Sequence, residues 1–421
     1  MVTTQNTIRN PGNRPEAGER MDNRQTWEKV CIKDGCESII DCVNKTAPTV
    51  DYPTTFIMIR TNNIRDGRID LSDIKYVTQE VFERWTRRIL PEKGDIILTR
   101  EAPLGEVGMI QTDDQIFLGQ RLMQYRANPK YLDNRYLLYA FQDHVLQAQI
   151  KLLGSGATVE HMRVPDAEKL MLWLPPLLEQ NAIATALSDV DALIASLDKL
   201  IAKKRDIKQA TMQQLLTGKT RLPGFSGGWV VKKLGEIAEI VSGGTPSTRV
   251  AKFWHGNIKW CTPTDITRTS GKYLTNTEKY ISELGLKYSS ANLLPIGSLL
   301  LCSRATIGEV KIAATIVCTN QGFKSLICSK DVNNEFLYYV ILTIKPKLVE
   351  KAIGSTFLEI SKKDTALLEI ALPPLTEQQA IATVLSDMDD EIFALEQKRD
   401  KVRALKQGMM QELLTGKTRL V

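Results

Sequence analysis

Apolar residues recur every three to four positions along two segments of the chain, and these segments have nearly the same sequence. The first reads LPPLLEQNAIATALSD from residue 174, and the second reads LPPLTEQQAIATVLSD from residue 372. When 174–222 is aligned with 372–420 without a gap, roughly 30 of the 49 positions are identical, including a shared LLTGKTRL at the end of each. The apolar positions have a period near seven residues, which predicts two long helices with a coiled-coil seam.

We expect these helices to span about residues 179–216 and 377–414. Pro175 and Pro176 precede the first helix, and Gly218 and Gly416 stand where a left-handed helix end is expected. A long helix with a narrow apolar stripe needs a partner in water, so we predict an antiparallel pair within one chain. The alternative is that each helix folds onto its neighbouring domain. The predicted helix-pair interface consists of Ile183, Leu187, Val190, Ile194, Leu197, Ile201, Ile381, Leu385, Met388, Ile392, Leu395 and Val402.

The segments before each helix have a different pattern. Short β-branched or alternating runs such as TTFIMIR, DIILTR, IKWCTPT and GSLLLCS predict strands, and 133–153 and 333–353 predict helices in matching positions. We therefore expect an α+β chain: two mixed α/β domains separated by the antiparallel helix pair, with a pseudo-two-fold internal repeat. The predicted boundaries are a flexible arm at 1–24, a domain at 25–173, a helix at 174–222, a domain at 223–371 and a helix at 372–421.

Composition narrows the class of protein only modestly. The net charge of +6 permits a polyanionic partner without requiring one. Seven cysteines without a Cys-x-x-Cys pair, together with three scattered histidines, argue against a zinc site and a disulfide framework. The chain shows neither an apolar run long enough to cross a membrane nor a signal peptide, so we expect a cytoplasmic protein without a membrane partner.

The search for an active site gives no candidate. TGKT at 217–220 and 415–418 resembles the end of a phosphate-binding loop, but Gln213 and Gln411 stand where that loop needs a glycine. No glycine-rich turn for S-adenosylmethionine and no hydrolase or metalloprotease motif is evident. We expect no catalytic residue, no metal and no cofactor in this chain.

The duplicated motif LPPL-x-EQ-x-AIAT-x-LSD followed by LLTGKTRL resembles the specificity subunit of type I restriction-modification enzymes. LGEIAEIVSGGTPST with GNIKWCTPTDI at 234–266 is similar to the opening of that family's target recognition domains, whereas the first domain keeps only a trace of it. The resemblance implies that each variable domain reads one half of a split double-stranded DNA target in the major groove. The paired helices would fix the spacing of the half-sites and dock two modification subunits.

The chemistry implied by the resemblance belongs to the partner subunits. The modification subunits would use S-adenosylmethionine to methylate adenine, and restriction subunits would translocate and cleave DNA with ATP and Mg²⁺. Two other hypotheses are a self-contained DNA methyltransferase with a recognition domain and a coiled-coil scaffold without a nucleic-acid role.

Basic residues at the ends of predicted strands are the candidates for DNA contacts. Arg100 and Arg304 end matching strands, and arginine commonly contacts guanine, although a surface salt bridge is the alternative for each. A second set could neutralise phosphates or belong to solvated loops. This set consists of Arg60, Arg65, Arg68, Lys259, Arg268 and Lys272.

Overall fold

The computed structural model describes residues 27–156, 160–354 and 358–420, and the predicted arm at 1–24 lies outside them. In the first half of the described chain, short strands and helices precede one long helix. In order these are β1 Glu28–Cys31, α1 Ile32–Gly35, β2 Cys36–Asp41, β3 Phe56–Ile59, β4 Ile64–Arg65, β5 Arg68–Ile69, β6 Lys75–Tyr76, α2 Gln79–Thr86, β7 Ile96–Arg100, β8 Leu104–Met109, β9 Gln115–Leu118, β10 Leu122–Ala127, α3 Asn134–Gln142, α4 His144–Leu153, α5 Val164–Ala167, β11 Met171–Leu174 and α6 Leu177–Leu215.

The second half repeats this order with small differences and also ends in a long helix. Its elements are β12 Val230–Lys233, α7 Leu234–Ile237, β13 Ala238–Ser242, β14 Trp254–Cys261, α8 Pro263–Arg268, β15 Tyr273–Leu274, β16 Lys279–Ile281, α9 Glu283–Lys287, β17 Leu299–Leu301, β18 Val310–Ala313, β19 Cys318–Thr319, β20 Lys324–Cys328, α10 Asn334–Thr343, α11 Lys345–Glu350, α12 Lys362–Ala366, β21 Glu369–Leu372 and α13 Leu375–Leu413.

The first domain, β1 to β11, is built on two main sheets. One is antiparallel with the order β2-β10-β7-β8, and the other has the order β6-β3-β9. In the second sheet β3 and β9 run parallel, with Ile57 opposite Ile116. Strands β1 and β11 pair with each other, so the two ends of the domain meet beside the start of α6.

The second domain, β12 to β21, has the same arrangement. Its larger sheet has the order β13-β20-β17-β18-β15, its smaller sheet has the order β16-β14-β19, and β12 pairs with β21. Strands β14 and β19 are parallel, as β3 and β9 are. The internal repeat that the sequence shows in the helices therefore extends through both domains.

The described chain divides into two compact units, and the division crosses both long helices. Unit 1 combines the residues up to Ala195 with those from Asp400 onward, and unit 2 is Ser196–Arg399. Each unit thus contains one domain, the first part of one long helix and the last part of the other. The predicted boundaries at 173/174 and 371/372 lie instead at the change from strand to helix.

Within each unit the domain core continues into both long helices. In unit 1, Ile183 and Leu187 of α6 share a buried cluster with Leu413 of α13. In unit 2, the equivalent Ile381 and Leu385 share a buried cluster with Leu215. Of the remaining predicted interface residues, Ile194, Leu197, Ile201 and Ile392 are buried, while Val190, Met388, Leu395 and Val402 are half-buried.

Ion pairs show that α6 and α13 are antiparallel in each unit. In unit 1, Asp191 pairs with Lys406 at 2.8 Å, while Glu179, earlier in α6, pairs with Arg419 beyond the end of α13. In unit 2, Lys204 pairs with Glu391 at 2.6 Å, and Lys208 pairs with Asp389. As the residue number rises along one helix it falls along the other, which confirms the predicted antiparallel pair.

The motifs that recur in both helices form a clamp at the helix ends. Arg419, from the second TGKTR, donates to the buried carboxylate of Glu179 with an Nη2–Oε2 distance of 2.6 Å. Arg221, from the first TGKTR, binds Glu377 in the same way, also at 2.6 Å. The glutamate of each EQ motif therefore binds the arginine of the TGKTR motif in the other copy of the repeat. Trp27 completes the clamp in unit 1, because its Nε1 donates to Glu179 at 3.0 Å.

The segments 133–153 and 333–353 form helices, as predicted, and each is divided into two. The divisions arise because Asp143 leaves the helical conformation to cap α4 and Pro346 lies near the start of α11. The predicted left-handed helix ends are present, with φ of 67° at Gly218 and 70° at Gly416.

Candidate nucleic-acid interface

Several loops of the first domain meet at the carboxyl ends of the parallel strands β3 and β9. Gly119, just after β9, donates its backbone N–H to Ile59 O at the end of β3, at 2.8 Å. Arg121 O accepts from Arg100 N at 2.8 Å, which brings the end of β7 to the same place. The Thr46 hydroxyl reaches Gln120 Oε1 at 3.5 Å. We call the residues 43–48, 60–63, 100–101 and 119–121 the first loop cluster.

The second domain forms an equivalent cluster at the ends of β14 and β19. Asn320 N donates to Cys261 O at 3.1 Å, and Ser303 N donates to Gly322 O at 2.8 Å. Thr245 donates to the side chain of Gln321. A Cβ at Gly243 would lie 2.0 Å from Asn320 O, so only glycine allows this approach. The second loop cluster consists of the residues 243–248, 262–265, 303–304 and 320–322.

The two loop clusters carry charges of opposite sign at one matched position. Glu101 bridges to His161, and Arg304 bridges to Glu359, so Glu101 and Arg304 are equivalent. Glu101 forms an ion pair with Arg121 at 3.3 Å, whereas Arg304 forms one with Glu359. The frame is thus the same in both domains while its charges differ, as expected of surfaces that bind different sequences.

The predicted match between Arg100 and Arg304 is displaced by one residue. Arg100 is equivalent to Ser303, because their N–H groups make the same backbone hydrogen bond. Neighbouring positions of an extended chain face opposite sides. Arg100 Nη1 donates to Met162 O at 3.0 Å. The two arginines therefore do not recur at one site, and a base contact stays a separate prediction for each.

The other arginines predicted to contact DNA in the first domain differ in whether they form an ion pair within the protein. Arg60 is held by Asp73 at 3.0 Å. Arg65 and Arg68 are exposed and face each other across the β4–β5 hairpin, whose turn residues Asp66 and Gly67 both have positive φ. In the described part of the chain neither Arg65 nor Arg68 forms an ion pair. Both are therefore available for a phosphate contact, which remains a prediction.

The other three basic residues predicted in the second domain all have protein partners. Lys259 Nζ donates to Thr275 O at 2.7 Å, and the exposed Arg268 pairs with Glu278 at 2.7 Å. Lys272 is mostly buried and pairs with Glu335 of α10 at 2.8 Å. The structure thus gives Lys272 a role in attaching the domain to its helices, beside the predicted phosphate contact.

This attachment predicts a dependence of stability on pH. Burial opposes ionisation of Glu335, but hydrogen bonds from Lys272, Tyr273 and Ser386 more than offset it and keep the pKa of the carboxyl below its usual value of 4.5. The stabilisation should be complete above that usual value and disappear as pH falls through the lower folded pKa. We expect the free energy of unfolding of Glu335→Gln to approach that of the wild type as the pH is lowered from above the usual value of 4.5 to below it. A constant difference across this range would contradict the prediction; urea unfolding at each pH measures it.

The sequence search missed the glutamines of the loop clusters. Gln120 and Gln321 each follow the equivalent parallel strand and each contact a threonine. FLGQRLMQY and CTNQGFKSL share this glutamine at the same place, and the alignment of the repeat could have found it.

The described residues contain no group of three or more His, Cys, Asp or Glu side chains arranged to hold a metal ion. Among these residues no helix is both long and apolar enough to cross a membrane.

Comparison with known proteins identifies the repeated unit. The family described as the type I restriction modification DNA specificity domain matches residues 24–204 and again 226–403. The MjaIX specificity subunit of Methanocaldococcus jannaschii is 42% identical over 166 residues, which cover 39% of this chain and 38% of that protein. The putative MjaX specificity subunit of the same organism is 27% identical, and the match covers 94% of each chain.

Solved structures share the fold. A chain from a structural study of complex assembly and conformational transition of the type I R-M system has a TM-score of 0.59 at 19% identity, covering 93% of this chain and 98% of that one. The type I S subunit from M. genitalium also has a TM-score of 0.59, at 16% identity, covering 94% of this chain and 98% of that one. The two family matches coincide with the two halves of the repeat, and the chain therefore belongs to the family of type I restriction-modification DNA specificity proteins.

Proposed function

We propose that this chain is the non-catalytic subunit that reads the DNA target of a type I restriction-modification system. Each domain would read one half of a bipartite duplex target through the major groove with its loop cluster. The observation that carries this proposal is that the two loop clusters share one backbone arrangement but carry different charges. Glu101 and Arg304 are an example, since they occupy equivalent positions. Two unlike half-sites need such a combination of constant backbone and variable side chains.

Sequencing of methylated adenines in a host that expresses this chain with its modification partner tests the proposal. We expect one bipartite motif with two different half-sites and a fixed gap. A motif without a gap, or no methylation dependent on this chain, would contradict it. Methyl transfer by the purified chain alone would favour a self-contained methyltransferase. No binding to duplex DNA even with the partner, or binding that does not weaken with salt, would favour a scaffold.

We propose further that the long helices dock two copies of the modification subunit. S-adenosylmethionine would then enter with that subunit, and ATP and Mg²⁺ with restriction subunits. Exposed positions that carry the same or a similar side chain in both helices support two equivalent docking faces. These are Thr185 and Thr383, Asp189 and Asp387, Lys203 and Lys401, Arg205 and Arg403, Ile207 and Leu405, Gln209 and Gln407, and Gln213 and Gln411.

The apolar member of this set gives a direct test. Ile207 is 40% exposed and Leu405 is 58% exposed, so each can contribute apolar contact to a partner. We expect Ile207→Asp and Leu405→Asp each to leave one bound modification subunit and the double variant to leave none, as measured by native mass spectrometry. Leu152→Asp, at an exposed leucine of α4, is the control and should keep both. Two bound subunits in the double variant would contradict the docking faces.

A further inference from the structure

A contact between threonine and glutamine recurs in the two loop clusters although the side chains around it differ. Thr46 contacts Gln120 in the first cluster, and Thr245 contacts Gln321 in the second. Gln120 is followed by an arginine that pairs with Glu101, whereas Gln321 is followed by Gly322. The threonine–glutamine contact is the same in both loop clusters while the neighbouring side chains differ, which indicates a function that both domains share.

The contact holds the glutamine amide beside the threonine. In both clusters the threonine hydroxyl donates to the amide oxygen. The oxygen keeps a second lone pair for another donor. In the described part of the chain the amide nitrogen of neither glutamine has a hydrogen-bond partner. Each side chain thus offers one acceptor and one donor side by side.

This pattern is complementary to one base in the major groove. Adenine presents a donor at N6 next to an acceptor at N7, and a glutamine amide can bind both together. Guanine presents two acceptors there and would face the amide oxygen with a like group. The backbone supports an approach to the base, because Gly119 lies directly on the end of β3 and leaves Gln120 at the tip of the turn.

We propose that Gln120 and Gln321 each read an adenine, one in each half-site. The inference rests on the proposed DNA-reading function and adds a specificity residue to each domain. Because the two domains share their fold, the two glutamines occupy the same place in their loop clusters. The bases that distinguish the half-sites are then left to the side chains that differ.

Alanine variants of the complex with its modification partner test this reading. In the methylated-site profile, Gln120→Ala should relax one A·T position in one half-site, and Gln321→Ala should relax one in the other. We expect the preference for adenine at that position to fall roughly 5- to 150-fold, the range for loss of a two-bond base contact. Gln79→Ala, at an exposed glutamine of α2, is the control and should leave the motif unchanged.

Glutamate and threonine variants separate a base contact from a structural role. Gln321→Glu keeps the size of the side chain but offers only acceptors, so it should change the preferred base from adenine to cytosine. Thr245→Val should weaken the adenine preference, and Thr245→Ser should restore it. An unchanged motif in the glutamine variants, or relaxation at a G·C position, would overturn the inference. So would equal loss of methylation at all sites in both variants of Gln321. A wild-type profile without a bipartite motif would instead overturn the proposed function itself.

Discussion

Deleting residues 196–202 from α6 together with 394–400 from α13 is expected to shorten the gap between the half-sites by about three base pairs. Seven residues of helix measure about 10 Å at 1.5 Å per residue, and one base pair rises about 3.4 Å. Seven residues are also close to two full turns, so the side chains beyond the deletion keep their facing. The bases read within each half-site should stay the same, because both loop clusters are untouched.

The design of this deletion follows from the register of the ion pairs. It removes Asp198 and Arg399, which pair with each other, and keeps the pairs of Asp191 with Lys406 and of Lys204 with Glu391. A deletion of 196–202 alone is the matched control. It should place the remaining pairs out of register, and we expect loss of specific methylation rather than a new gap. Sequencing of methylated sites measures both variants, and an unaltered gap in the double deletion would contradict the role of the helices as a spacer.

Periodicity gave the long helices correctly because a local pattern determines them. The predicted spans of 179–216 and 377–414 compare with Leu177–Leu215 and Leu375–Leu413 in the structure. Duplication strengthened the prediction, since the same seam was present twice. Shorter helices were less predictable, because a break at Asp143 depends on a capping side chain rather than on the apolar pattern.

Contacts between distant residues could not be derived from the sequence. Glu179 and Arg419 are 240 positions apart, and their pairing depends on the antiparallel course of the helices. Both residues do recur in the repeat, as Glu377 and Arg221, so their importance was visible although their partnership was not. The fold class therefore follows from local patterns, whereas the clamp follows from the three-dimensional arrangement.

The candidate DNA residues show the same limit. The sequence comparison matched Arg100 with Arg304, but the backbone hydrogen bonds show that Arg100 is equivalent to Ser303. In a strand, a displacement by one residue moves the side chain to the other face. A positive charge alone was also not enough to identify a DNA contact, since Lys272 forms an ion pair with Glu335 within the protein.

Arg419→Ala is expected to destabilise unit 1 strongly. The Glu179 side chain is fully buried. After loss of the Arg419 guanidinium, the Trp27 indole N–H still donates to the Glu179 carboxylate, but no cation faces it among the described residues. Leaving a buried carboxylate without its cation costs about 3–5 kcal/mol. The Arg419 guanidinium also lies 5.6 Å from the centre of the Trp27 ring, so the substitution loosens the start of the described chain as well. Urea unfolding, followed by the fluorescence of Trp27 and the other tryptophans, should show an earlier first transition.

A double-mutant cycle separates this clamp from a general effect of removing charge. Glu179→Ala combined with Arg419→Ala should be less destabilising than the sum of the single variants, because the second substitution removes the uncompensated carboxylate. Glu179→Ala combined with Arg221→Ala is the matched control, since Arg221 pairs with Glu377 in the other unit. The effects of this second combination should add. Additive effects in both combinations would show that Glu179 and Arg419 do not act as a pair, and the duplicated EQ and TGKTR motifs would then need another explanation.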